Sequence, residues 1–145
     1  MSSIRDQIVA ATITALNAVG KPCDFERSRA TALTDADLPR GVVYPVRDIP
    51  EDPFLAGPVT RSRLTMMCEI RALGTAALRP DQAVDPIYTW VVAKLVGNTL
   101  GGLALKLQEG DSTFVYGQGD SPICLLAVEV VATHQHLTAN AEASK

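Results

Sequence analysis

The residue types that usually announce chemistry are scarce in this sequence: two histidines, three cysteines and one tryptophan among 145 residues. Cys23, Cys68 and Cys124 are odd in number and far apart, and no C-x-x-C occurs. That argues against a disulfide framework or a zinc site, and for buried thiols in a reducing compartment. No run of about 20 apolar residues is long enough to cross a membrane. Met1 to Ala11 carries Arg5 and Asp6 and lacks the apolar core of a secretory signal. Positive charge is also short, with thirteen Lys and Arg against sixteen Asp and Glu for a net charge of −3. A protein living on phosphate contacts is usually basic, so no sequence-specific nucleic acid partner is expected. What is abundant is ordinary: 47% hydrophobic and 20% charged residues exclude wholesale disorder. The expectation is one soluble, intracellular domain over 1–137, followed by a small-residue tail, 138–145, that is disordered.

Helical and extended periods alternate along the chain. Ser3 and Asp6 have the spacing of a capping box, and Ile4, Ile8, Thr12, Leu16 and Val19 then recur at helical steps. Gly20 and Pro22 end that helix. Phe25, Arg27 and Arg29 suggest a short strand, and Gly41 to Val46 a second, with Pro45 at an edge or strand end. Asp48 to Val59 (DIPEDPFLAGPV) holds three prolines and three acids and predicts a long loop. Its Phe54 and Leu55 either tuck back beneath the loop or dock on another chain.

Arg61 to Leu73 is the clearest strand. Leu64, Met66, Cys68, Ile70 and Ala72 share one face, and Arg61, Arg63, Thr65, Met67, Glu69 and Arg71 the other. The second face is either a solvated surface or one that meets a neighbouring subunit's carboxylates. Asp85-Pro86 marks a helix start that runs to Leu100 and ends at Gly101-Gly102. A strand pair follows, Leu103 to Tyr116 with a kink at Gly110-Asp111, then Pro122 to His136. The last is apolar on both faces and so central in its sheet. The order implies an α+β domain, a largely antiparallel four- to five-stranded sheet with two helices packed on one face.

A search for a site returns little. His134 and His136 form H-x-H on a strand and lack the third and fourth ligands zinc requires, so they read as a surface pair. Asp35 with Asp37, and Glu51 with Asp52, are acid pairs of turns. Gly97, Gly101 and Gly102 form neither a dinucleotide fingerprint nor a phosphate loop. No catalytic, cofactor or metal site is expected, and the chain reads as a non-enzyme.

Several segments taken together carry a resemblance. They are the capped helix SSIRDQIVAATITAL, the stretch RATALTDADLPRGVVYPV, the strand RSRLTMMCEIRALG, the helix DPIYTWVVAKLV leading into LGGL, and the turn GQGDSP feeding LLAVEVV. Their sequence and spacing, over about Ile4 to Thr133, resemble the tail terminator (minor tail protein) family of long-tailed bacteriophages. The resemblance implies a structural virion protein at the head-proximal end of the tail, made in the host cytoplasm. Its partners would be itself in a hexameric ring, the tail tube protein whose polymerisation it stops, and the head–tail connector or neck protein, with no cofactor and no membrane. Head-to-tail ring contacts need two unlike patches. Arg47, Asp48, Glu51, Asp52, Phe54, Leu55, Arg61, Arg63 and Arg71 are the candidate subunit or tube interface. The alternatives are another phage neck or head-completion adaptor and, more distantly, a small enzyme or ligand-binding domain with a pocket beneath Tyr88 and Trp90.

Overall fold

Two fifteen-residue strands form the frame of the molecule. In the computed structural model, which describes residues 3–27, 38–50, 59–75, 77–117, 122–137 and 140–144, β3 (Val59–Leu73) and β5 (Ile123–Leu137) pair antiparallel along their whole lengths without a register break. At ~3.3 Å per residue each is about 50 Å long. Around them stand α1 (Ile4–Leu16), β1 (Asp24–Arg27), β2 (Arg40–Pro50), α2 (Pro80–Leu95), β4 (Lys106–Tyr116) and β6 (Asn140–Ser144), with a 3-10 turn at Leu100–Gly102. The strand order is β1-β2-β3-β5-β4. All pairs are antiparallel except β1 with β2, so the fold is α+β around a largely antiparallel sheet.

Period-two alternation decides the faces. Leu64, Met66, Cys68, Ile70 and Ala72 of β3 are buried, as are Cys124, Leu126, Val128, Val130 and Ala132 of β5. Both helices lie on this face, α1 through Ile4, Ile8, Val9 and Leu16 and α2 through Val84, Ile87, Val91 and Leu95. Each such side chain contributes about 1.5–3 kcal/mol by leaving water. Neither helix packs on the opposite, open face.

Local chemistry explains where the helices end. Ser3 accepts from the Asp6 N–H at 3.2 Å and so caps α1. At the other end Trp90 Nε1 donates to the Leu16 carbonyl at 2.9 Å, satisfying a terminal acceptor from α2. The helix stops at Leu16, three residues short of Val19, which is therefore fully exposed and no part of the predicted apolar stripe. α2 also departs from expectation. It begins at Pro80, with the Arg79 N–H donating to Gln82 Oε1 at 3.1 Å, so Asp85-Pro86 lies inside it. Two prolines each offer a helix start, and burial of Val84 selects the earlier one; Pro86 rides on the exposed side. The helix ends at Leu95, before Gly97 at φ 85°.

β2 is longer than its hydrophobic pattern suggests. Asp48, Ile49 and Pro50, expected in a loop, pair with Leu64, Arg63 and Ser62 because β3 extends far enough to supply a ladder. Pro45 sits beyond the last β1 pair, at Val43, where β2 has become an edge and a missing N–H is harmless. Residues 51–58, the rest of that expected loop, lie outside the described residues. The tail expected to be disordered instead forms β6 over Asn140–Ser144, antiparallel to β5. β3 fills one side of β5 throughout, so β6 takes the other, past the end of β4.

Candidate functional site

A register shift in β2 places a carboxylate inside the fold. Val43 and Pro45 face the helices, a bulge between Pro45 and Arg47 changes the parity, and Asp48 then faces the helices while Arg47 faces away. On β5 the alternation that buries Cys124 to Ala132 continues to His134, which is 1% exposed. Its Nε2 lies 3.1 and 3.2 Å from the two carboxylate oxygens of Asp48. β2 and β5 are two strand spacings apart, about 9.6 Å, and the pair closes over Ser62, a small buried residue opposite His134 on the strand between them. Arg5, in the first turn of α1, adds an ion pair to Asp48 at 3.5 Å. This corrects the reading of His134 as half of a surface pair.

A carboxylate-bound imidazole can act as a base when its other nitrogen meets a nucleophile or a substrate. An open depression of about 370 Å³ reaches Asp48 between Ser3, Arg5, Arg27 and Arg47, but His134 does not line it. The geometry makes this pair a structural tie between β2 and β5, to which Arg5 adds α1. Among the described residues no three metal-ligating side chains converge.

The open face carries the arginines. Arg61, Arg63 and Arg71 of β3 and Arg47 of β2 all project from it. Arg71 is half-buried and lies 3.4 Å from Glu69, which also accepts from the Tyr44 hydroxyl at 2.6 Å. Burial, then Glu69, pushes the Tyr44 phenol up to about 12. Arg47 pairs loosely with Glu129 at 3.9 Å. Arg61 is exposed and has no carboxylate partner among the described residues; Gln135, with its amide oriented to suit its neighbours, accepts from it at 2.8 and 3.2 Å. Of the expected interface residues, Arg47, Arg61 and Arg63 are therefore brought to one end of one face, Arg71 lies toward the other end, and Asp48 is turned inward. Glu51, Asp52, Phe54 and Leu55 lie outside the described residues.

A second surface, missed by the sequence reading, lies on the helix side at the far end of the sheet. β4 extends past the cover of α2 and leaves Phe114 and Tyr116 about half exposed, stacked with ring centroids 6.5 Å apart. Between them and α2 runs a groove of about 240 Å³, floored by Val84, Leu126 and Phe114 and rimmed by Asp81, Asp85 and Tyr88. Among the described residues no basic side chain lines it. The field is felt by its neighbours: burial and then Asp81 raise the Tyr116 phenol and the Cys124 thiol. Tyr88 donates to Glu109, whose carboxylate holds that phenol up as well. Trp90, which the most distant alternative placed with Tyr88 over a pocket, faces the end of α1 and carries Lys94 4.7 Å above its ring. The signal available in the sequence was the run Thr113 to Tyr116, whose aromatics alternate on one side of an edge strand.

No protein-family model and no curated protein sequence matches this chain.

Proposed function

We propose that this chain is a ring-forming subunit of a long-tailed bacteriophage that caps the tail tube, stops its growth and presents a surface for joining the head. One observation supports the reading above the others. The sheet has a face that neither helix covers, and at one end of it Arg47, Arg61, Arg63 and Lys106 project together, with Arg47 loosely paired to Glu129. A frame about 50 Å long, set by unbroken β3–β5 pairing, holds that charge rigidly, as a subunit must when it repeats around an axis. The element order, a capped helix, a long hairpin, a second helix followed by a turn at LGGL and a closing hairpin, is compatible with the segments that carry the family resemblance.

The test is mass in solution over a concentration series, followed by negative-stain imaging with tail tubes purified from a terminator-deficient lysate of the phage that carries this chain. Rings of about six subunits, or caps at one end of each tube, are expected. A chain that stays monomeric and ignores tube ends overturns the proposal. Binding to the portal ring in place of the tube would transfer the chain to the neck adaptors.

A further inference from the structure

Two unlike surfaces lie toward opposite ends of the sheet. The acid-rimmed aromatic groove sits beside Cys124 and Tyr116 on the helix side, and Arg61 pairs with Gln135 on the open face. From Cys124 to Gln135 runs about 36 Å of strand. The two surfaces also point in opposite directions. They cannot meet within one chain, and a single neighbour cannot engage both at once.

We propose that the groove between α2 and β4 is the receiving site for the arginine-bearing start of β3 from the next copy of this chain. The assignment rests on the ring reading above and names the contact that would build the ring. The groove offers what a guanidinium selects: an aromatic face to stack on, Phe114 beside Tyr116, and two carboxylates, Asp81 and Asp85, to accept its fork of N–H donors. Arg61 is the matching group, exposed and, among the described residues, held by a neutral amide. Among the described residues no basic side chain lines the groove to compete with it. A contact that joins different patches of identical chains is heterologous and closes into a ring when its rotation divides a full turn.

The experiment is sedimentation equilibrium of the full chain over a concentration series, with circular dichroism to confirm folding. Arg61→Glu alone and Asp85→Arg alone should each weaken association by about tenfold or more. The double variant, which restores an opposite-charge pair at every contact, should recover most of that loss. If a reversed variant fails to fold, Arg61→Gln and Asp85→Asn replace it: each alone should weaken association, and their losses should not add in the double, because both remove the same contact. Rings that form equally well from the single variants, a charge-reversed double no better than its parents, or neutral variants whose losses add, overturn this assignment and leave the ring reading standing. A wild-type chain that is monomeric at every concentration, alone and with tail tubes, overturns both.

Discussion

Asp48 and His134 are 86 positions apart, and each looks unremarkable where it stands. The alternation of β5 already assigns His134 to the apolar face, so its burial could have been read by extending the pattern one step beyond Ala132. The partner could not. Only the bulge in β2 turns Asp48 inward, and no local residue pattern reports a shift of parity. Removing either group leaves the other buried beside an empty space. Asp48→Ala is expected to cost about 2–4 kcal/mol in urea unfolding. A double-mutant cycle with His134→Ala should return a coupling of at least about 1 kcal/mol. The three thiols, all free and buried, make a second prediction. Burial holds Cys23 up to about 11 and Cys68 up to about 12, against 9.0 for a free thiol. An acid whose pKa is raised on folding favours the folded state fully below its unfolded value, and that advantage fades as pH climbs through the folded value. The urea midpoint should therefore fall between pH 9 and 11, less steeply in Cys68→Ala, and thiol reagents should react slowly until the chain unfolds.

At the scale of elements, strands were easier to locate than helix ends. β3 and β5 declare themselves because a period of two repeated over a dozen residues has no helical counterpart. Helix starts are ambiguous wherever proline occurs twice, as at Pro80 and Pro86, since either fits a first turn and only packing of Val84 decides. β1 shows a different limit. At four residues it is too short to hold itself, and a side chain outside the sheet supports it. Asn17, just past α1, donates through Nδ2 to the Phe25 carbonyl at 2.7 Å and accepts the Phe25 N–H at 3.0 Å, imitating a neighbouring strand. Asn17→Ala is expected to cost about 1–2 kcal/mol. Asn17→Asp should cost more than Asn17→Ala, because it places a carboxylate oxygen against the Phe25 carbonyl. Thermal melts of the two variants, side by side, decide this.

For the whole molecule, the antiparallel sheet with helices on one side followed from element order, whereas the charge distribution did not. A net charge of −3 conceals a basic end on the open face and an acidic groove on the other, because composition sums over surfaces that the fold separates. If those surfaces join copies of the chain, association should weaken as salt rises from roughly 0.05 to 0.5 M, a range over which the screening length drops below the reach of unburied charges. Sedimentation at both salt concentrations would show this, and an unchanged mass distribution would mean that apolar contact alone holds the copies together. The Asn17 clasp on β1 bears on the same question from another side. It occupies the outer hydrogen-bonding groups of that strand, and beyond it β2 presents Pro45, a bulge and Pro50, so this border of the sheet is a poor template. A sheet with one serviceable border can recruit a single partner strand and then has nowhere left to extend. Runaway stacking into fibres is thereby denied to this chain, and any larger assembly has to be made through its broad surfaces.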